Sequence, residues 1–310
     1  MDRKKLLLIY NPKSGTGKIK GKLSDVIDMC VKEGYEVTIR PTQGRLDAME
    51  YLKENAARYD KVICSGGDGT LDEVVKGILA SGVSLPIGYI PAGSTNDFAN
   101  SLGISSMTMK AAKAAVYGEP FACDIGKFND DYFVYVAAFG ILTDVSYETS
   151  QKTKNVLGHM AYVLEGIKSF GLNSMKSYSM SVIADDRIIK DEFIYGMVSN
   201  SATVGGFKAL PQGDICLNDG EFEVLLIKYP HSLEEVNIIT SSLLAQDPDP
   251  EYMYYLKTSH LEFHSEEGVS WTLDGENGGV HNDVEIINCN KAFTICVPEK
   301  KGHKQMFQQK

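Results

Sequence analysis

"KVICSGGDGTLDEVVKGILA", residues 61–80, joins an apolar run, three glycines around one aspartate, and a helical pattern. Lys61–Ser65 reads as a strand with Cys64 as a small core residue, and 70–80 reads as an amphipathic helix. Glycine is needed where a backbone approaches a ligand or takes positive φ, and Gly66-Gly67-Asp68-Gly69 can aim successive N–H groups outward. With a helix opening at Thr70, the loop has the ingredients of a phosphate cradle. Carboxylates at Asp68 and Asp72 would repel a nucleotide tail unless a cation lay between, and magnesium accepts carboxylate and phosphate oxygens together. A plain Gly-rich βα turn, with Asp72 complementing the helix dipole, accounts for the same spacing.

The alternation extends outward from this stretch. Lys5–Tyr10, Tyr35–Arg40 and Pro86–Ile90 read as further strands, and 18–33 and 45–57 as further amphipathic helices. Strand, helix, strand at this spacing predicts parallel strands with right-handed crossovers, hence a Rossmann-like α/β sheet. Ligands of such sheets bind beyond the carboxyl ends of the strands. Asn11-Pro12-Lys13-Ser14-Gly15, Gly66-Gly67-Asp68-Gly69-Thr70 and Pro91-Ala92-Gly93-Ser94-Thr95-Asn96-Asp97 are therefore expected on one rim.

After about residue 122 the texture changes to Asp131–Phe139, Tyr178–Ile183, Ile188–Val198, Phe222–Ile227 and Ala292–Val297, separated by Gly, Asn and Asp turns. This predicts an antiparallel β-sandwich domain. Asn155–Phe170 reads as an inserted helix, core-facing or lining a lipid cleft. The expected division is 1–122, 123–300, and a basic tail 301–310 that can return to the first domain.

Whole-chain features narrow the function. A formal charge of −10 over 310 residues argues against broad nucleic-acid binding, although seven of the first 22 residues are Lys or Arg. Six scattered cysteines without Cys-x-x-Cys predict a reduced, cytoplasmic setting, and no run of about 18 apolar residues exists to span a bilayer.

Several local patterns fail on inspection. "SGTGK", 14–18, is similar to a P-loop, but Pro12 stands where the first glycine belongs and Ile19 follows Lys18. Asp72 replaces the third glycine of a dinucleotide fingerprint. "HLEFH", 260–264, reads as a solvated strand face rather than a zinc site, and "DPDPE", 247–251, as a prolyl loop.

Together, "NPKSG" at 11–15, "GGDGTLDEV" at 66–74, "PAGSTNDFA" at 91–99, "NDGEFEV" at 218–224 and "LDGE" at 273–276 are far more specific. Their order and spacing resemble the lipid kinase family of bacterial diacylglycerol kinases and sphingosine kinases over nearly the whole chain. The resemblance implies transfer of the γ-phosphoryl of ATP to a lipid hydroxyl with Mg2+, diacylglycerol being the foremost acceptor. It implies nucleotide contacts at Asn11, Pro12, Lys13, Ser14, Gly15, Thr42, Gly66, Gly67, Asp68, Gly69, Thr70, Leu71, Asp72 and Thr95. Ser94 stands where the family usually has Thr, which keeps a hydroxyl. Asp68 would act near the catalytic magnesium and Glu276 would be the general base. A second, structural magnesium would take the Asp219 carboxylate and the backbone carbonyls of Cys216 and Glu221. Peripheral membrane contact follows from a lipid substrate, with no nucleic-acid partner, and a homodimer is compatible with this reading. An NAD kinase, which also uses Gly-Gly-Asp-Gly, and a non-catalytic lipid or nucleotide sensor are the alternatives.

Overall fold

The structure, a computed structural model, describes residues 3–17, 19–141, 164, 172, 175–201, 203–204, 207–208 and 216–299. The chain divides into two compact units, Met1–Asp124 with Lys291–Lys310, and Ile125–Asn290.

In the first unit, β1 (Lys4–Tyr10), α1 (Leu23–Lys32), β2 (Tyr35–Pro41), α2 (Asp47–Asn55), β3 (Lys61–Gly66), α3 (Asp68–Ser81) and β4 (Pro86–Pro91) follow one another, then α4 (Asp97–Ser101) and α5 (Thr108–Tyr117). The strands lie in the order β2-β1-β3-β4, all parallel. Leu6–Ile9 and all of β3 are buried, as a central strand covered on both faces requires. On α3 the buried residues Thr70, Leu71, Val74, Val75 and Ile78 recur at helical spacing, and the large apolar ones among them each contribute roughly 1.5–3 kcal/mol. Gly77 lets α2 cross α3 closely, since a Cβ there would lie 2.7 Å from the Met49 carbonyl oxygen.

The expected strand bounds agree with these to within a residue, but the bounds of all three helices change. α2 is Asp47–Asn55 rather than 45–57, because Leu46 takes a positive φ and a 3-10 turn follows at Ala56–Arg58. Residues 18–33 are not one helix. Short 3-10 turns at Ser14–Gly17 and Lys20–Lys22 precede α1, and Lys22, just after Gly21, sits at φ −123°, ψ 3°, outside the helical region. α3 opens at Asp68 rather than Thr70, because Gly67 is extended and its carbonyl accepts from the N–H groups of Thr70 and Leu71.

The second unit is antiparallel. Its strands are the end of β5 (Glu119–Phe128), β6 (Asp131–Phe133), β7 (Val136–Gly140), β8 (Tyr178–Ala184), β9 (Arg187–Ser199), a short pair β10 (Thr203–Val204) and β11 (Phe207–Lys208), and β12 (Phe222–Lys228). Helix α6 (Leu233–Ala245) follows, then β13 (Met253–Thr258), β14 (His260–Leu273) and the part of β15 (Glu276–Val297) before Lys291. β12 lies between β13 and β9, β9 pairs β7 and β8, and β14 pairs β7, β8 and β15. Phe128, Phe139, Phe263 and Trp271 pack ring against ring in the core, with centroids 4.9–6.0 Å apart.

The expected single strand Asp131–Phe139 is broken at Val134–Tyr135, whose N–H groups donate to the Asp274 carboxylate instead. The division also differs from expectation. It falls after Asp124, and the chain returns to the first unit at Lys291 rather than after residue 300. The fully buried Asp124 accepts from Lys291 N–H at 2.7 Å, and Thr294–Cys296 then lies parallel to β4. The expected helix Asn155–Phe170 and the tail 301–310 lie outside the described residues, apart from Leu164, which is helical and buried.

Candidate active site

Three loops at the carboxyl ends of β1, β3 and β4 are joined backbone to backbone. Asn11 N–H donates to the Ser65 carbonyl at 2.8 Å, and Ala92 N–H to the Gly66 carbonyl at 2.7 Å. Thr42 N–H donates to the Tyr10 carbonyl, which brings the end of β2 to the same rim. The loops approach so closely that side chains would not fit. A Cβ on Gly93 would lie 2.7 Å from Gly67 Cα, and one on Gly15, at φ +52°, would lie 2.1 Å from the Ala92 carbonyl oxygen. Asn11 also orders its own turn, its Oδ1 accepting from Lys13 N–H at 2.9 Å, and its Nδ2 reaches Thr70 Oγ1 at 3.5 Å. Asn96, at φ +54°, closes the third loop by exchanging hydrogen bonds with both backbone groups of Gly93.

The acidic residues of the opening stretch have separate roles. Asp68 Oδ2 accepts from Asp97 N–H at 3.3 Å, which places Asp68 beside the buried Asp97 at the start of α4. Asp72 lies 3.3 Å from Lys76 Nζ on the same helix, so its charge is already balanced locally. Glu73 faces α2, where its oxygens accept from Leu46 N–H (2.8 Å) and Ala48 N–H (3.2 Å), donors that the helix start leaves without intrahelical partners. Leu71 is buried in the core, so only its backbone is available to a ligand, whereas Gly69 is exposed. Thr95 is partly exposed beside the exposed Ser94. The loops that carry Asn11, Gly15, Thr42, Gly66, Gly67 and Thr95 thus gather on one rim of the first unit, whereas the Leu71 side chain lies in the core and Asp72 pairs with Lys76 along α3.

In the second unit, Leu273 and Glu276 pair across a two-residue hairpin turn, Asp274 at φ +52° and Gly275 at φ +81°. The Asp274 side chain turns inward. Its Oδ2 accepts from Val134 N–H at 2.6 Å, and its Oδ1 from Tyr135 and Val136 N–H at 2.9 Å each. Glu276 is exposed at the first position of β15.

The turn before β12 carries Cys216, Asp219 and Glu221. Asp219 Oδ1 accepts from Glu221 N–H at 3.2 Å, and Cys216 Sγ is directed at Asn218 Oδ1 at 3.2 Å. Lys257 Nζ lies 3.0 Å from Glu223 Oε1 and 4.0 Å from Asp219 Oδ2. Burial pushes the Glu223 carboxyl above its ordinary range, and Lys257 opposes that shift. A carboxylate with backbone carbonyls is an oxygen donor set, which fits a hard divalent cation. Asp68 offers a carboxylate donor of the same hard type at the rim.

A family model described as diacylglycerol kinase catalytic domain matches residues 5–128. A Diacylglycerol kinase of Bacillus subtilis is 33% identical over 96% of this chain and 98% of its own. A Diacylglycerol kinase of Staphylococcus epidermidis is 34% identical over 99% and 96%. The chain belongs to the diacylglycerol kinase family. A crystal structure of a putative diacylglycerol kinase from Bacillus anthracis str. Sterne superposes with a TM-score of 0.78 at 24% identity, over 96% of this chain and 98% of that one, which shows a shared fold. No helix among the described residues is long and apolar enough to cross a membrane.

Motif reading of this diacylglycerol kinase family member brought out the rim but not its fasteners. Glu73 capping α2 was hidden, because nothing in "LDEV" tells which acid faces a neighbouring helix. Asn96 had a local signal, the tolerance of Asn for positive φ in a Gly-rich turn.

Proposed function

We propose that the chain is a diacylglycerol kinase that uses ATP and Mg2+, with a Rossmann-like nucleotide-binding unit and a β-sandwich unit that receives the lipid. The observation that carries this reading is the interlocked glycine rim, in a chain that shares its family with kinases over nearly its full length. Backbone N–H groups of Gly66 to Gly69 and the start of α3 would hold the phosphates, with Asn11 to Gly15, Thr42 and Thr95 around them. Asp68 would hold Mg2+ at the phosphates, where the ion supplies charge neutralisation. Cys216, Asp219 and Glu221 would hold a second ion that stabilises the turn.

In the reaction, the lipid hydroxyl oxygen attacks the γ-phosphorus, the bond to the β,γ-bridging oxygen breaks, and ADP leaves with that electron pair. The hydroxyl proton passes to the Glu276 carboxylate. The acceptor resides in a bilayer, so the enzyme would work from the cytoplasmic side by peripheral contact. β1 carries Lys4 and Lys5 at one end and Lys13 beyond the other, about 20 Å apart, so Lys13 would not share a docking patch with Lys4 and Lys5.

The test offers a panel of lipid alcohols in mixed micelles, and NAD in parallel, with magnesium-ATP and mass detection of the product. Phosphatidic acid from diacylglycerol is the expected product. Phosphorylated NAD alone, or no product from any acceptor, overturns the assignment. Glu276→Gln should slow transfer about 10²–10⁴-fold with ATP binding and melting retained. Wild-type turnover in that variant removes Glu276 as the base.

A further inference from the structure

We infer that the exposed face of β14 and β15 binds one divalent transition metal of the zinc class through His260, Glu262 and Glu285, with His264 as a positioning residue. The inference uses no residue assigned above to phosphoryl transfer.

The strand period of two puts His260, Glu262 and His264 on one face of β14. The strand register then supplies what the sequence of β14 alone lacks, because Glu262 lies directly opposite Glu285 and His264 directly opposite Asp283 on β15. Ligand atoms of His260, Glu262 and Glu285 all lie within 4.8 Å of one another. His260 Nε2 is 3.1 Å from Glu285 Oε1 and 3.9 Å from Glu262 Oε1. Ligands about 2.1 Å from a tetrahedral ion stand about 3.4 Å apart, so the two distances bracket the required one.

Electrostatics favour an ion here. Two glutamates directly opposite on paired strands repel one another and cost stability. On the other side of β14, the positions opposite Glu262 and His264 are Ile183 and Ser181, which bring no charge. Three carboxylates, counting Asp283, thus meet two imidazoles. A divalent cation between Glu262 and Glu285 removes the repulsion and accepts a neutral imidazole as a ligand. The mixed nitrogen and oxygen set selects zinc, nickel or copper over magnesium or calcium.

His264 bridges Glu262 and Asp283, with Nε2 3.4 Å from Glu262 Oε2 and Nδ1 2.8 Å from Asp283 Oδ1. It therefore orients a ligand from the side, as the outer partners of metal sites do.

The test uses the full, tag-free chain, stripped with chelator and titrated with Co2+, followed by Zn2+ competition. One equivalent of cobalt with visible d–d absorption, displaced by zinc, is expected. His260→Ala and Glu285→Gln should each abolish it, His264→Asn should weaken affinity about tenfold, and Asp219→Asn should leave it unchanged. Zinc should raise the melting temperature of the wild type but not of Glu285→Gln, an exposed isosteric change that keeps the test valid if His260→Ala folds poorly. Absence of the d–d band, or uptake undiminished in Glu285→Gln, overturns the site and leaves the cluster as a histidine–carboxylate ion-pair ladder.

Discussion

Asp68-Gly69 and Asp274-Gly275 are the same dipeptide in two regions, used in opposite ways. At the glycine rim, position is set by backbone against backbone, through Asn11 to Ser65 and Ala92 to Gly66, with glycines where the loops touch. The aspartate is then left at the rim beside Asp97. At the hairpin the aspartate is itself the fastener, turned inward onto three N–H groups, and the next acid, Glu276, is the one presented. Close packing of glycines holds the rim chiefly through the backbone. A hairpin lacking such packing consumes one carboxylate to display another.

The largest expected effect breaks the hairpin. Asp274→Ala strands three buried N–H donors, and at about 1–3 kcal/mol per group should cost about 4 kcal/mol of stability, seen as a lowered denaturant midpoint. Asp274→Asn, which keeps one acceptor oxygen, should recover part of that. A midpoint unmoved by Asp274→Ala would mean that the hairpin is held by its strands and that the contrast with the rim is false.

A smaller effect is expected at the rim, where two glycines separate close packing from mere flexibility. Gly15→Ala meets both a positive φ and the Ala92 carbonyl oxygen, and should cost about 2 kcal/mol and weaken nucleotide binding. A Cβ on Gly69 meets nothing within 4 Å inside α3, so Gly69→Ala should be neutral or stabilising by up to about 1 kcal/mol. Equal losses in denaturation of the two variants would contradict the packing account.

What was legible in the sequence follows the same division. The strands β1 to β4 and their loops could be read because a buried parallel strand is a local apolar run and its loop a local glycine cluster. α6 also had a local signal, Ser232 three residues ahead of Glu235 before an apolar run, and Ser232 Oγ does accept from Glu235 N–H at 3.1 Å. The break at Val134–Tyr135, the return at Lys291 and the facing of His264 by Asp283 were not legible. Each depends on a partner more than fifteen residues away, whose register no local pattern encodes.

Glu73 tests whether a fastening carboxylate can be told from a chemical one within the glycine stretch itself. It resembles Asp274 in kind, accepting two N–H groups where Asp274 accepts three, but it is only partly buried. Burial lifts its carboxyl above the ordinary value of 4.5, the N–H groups of Leu46 and Ala48 and the charge of Arg45 pull it down, and Asp47 adds to the lift. The folded chain therefore holds this proton at pH values where the unfolded chain has released it. Stability from this group is fully present below 4.5, falls as pH rises through the raised native value, and is constant above it. Glu73→Gln removes that fall. Denaturation of both proteins across pH 4 to 8 should show the advantage of the wild type over the variant greatest at the acid end and declining to a plateau. At neutral pH the two should differ by no more than about 1 kcal/mol, the worth of one exchanged hydrogen bond. A difference that grows with pH would mean that the native carboxylate is favoured charged, as a cation-binding group is, and would move Glu73 from the fasteners to the site.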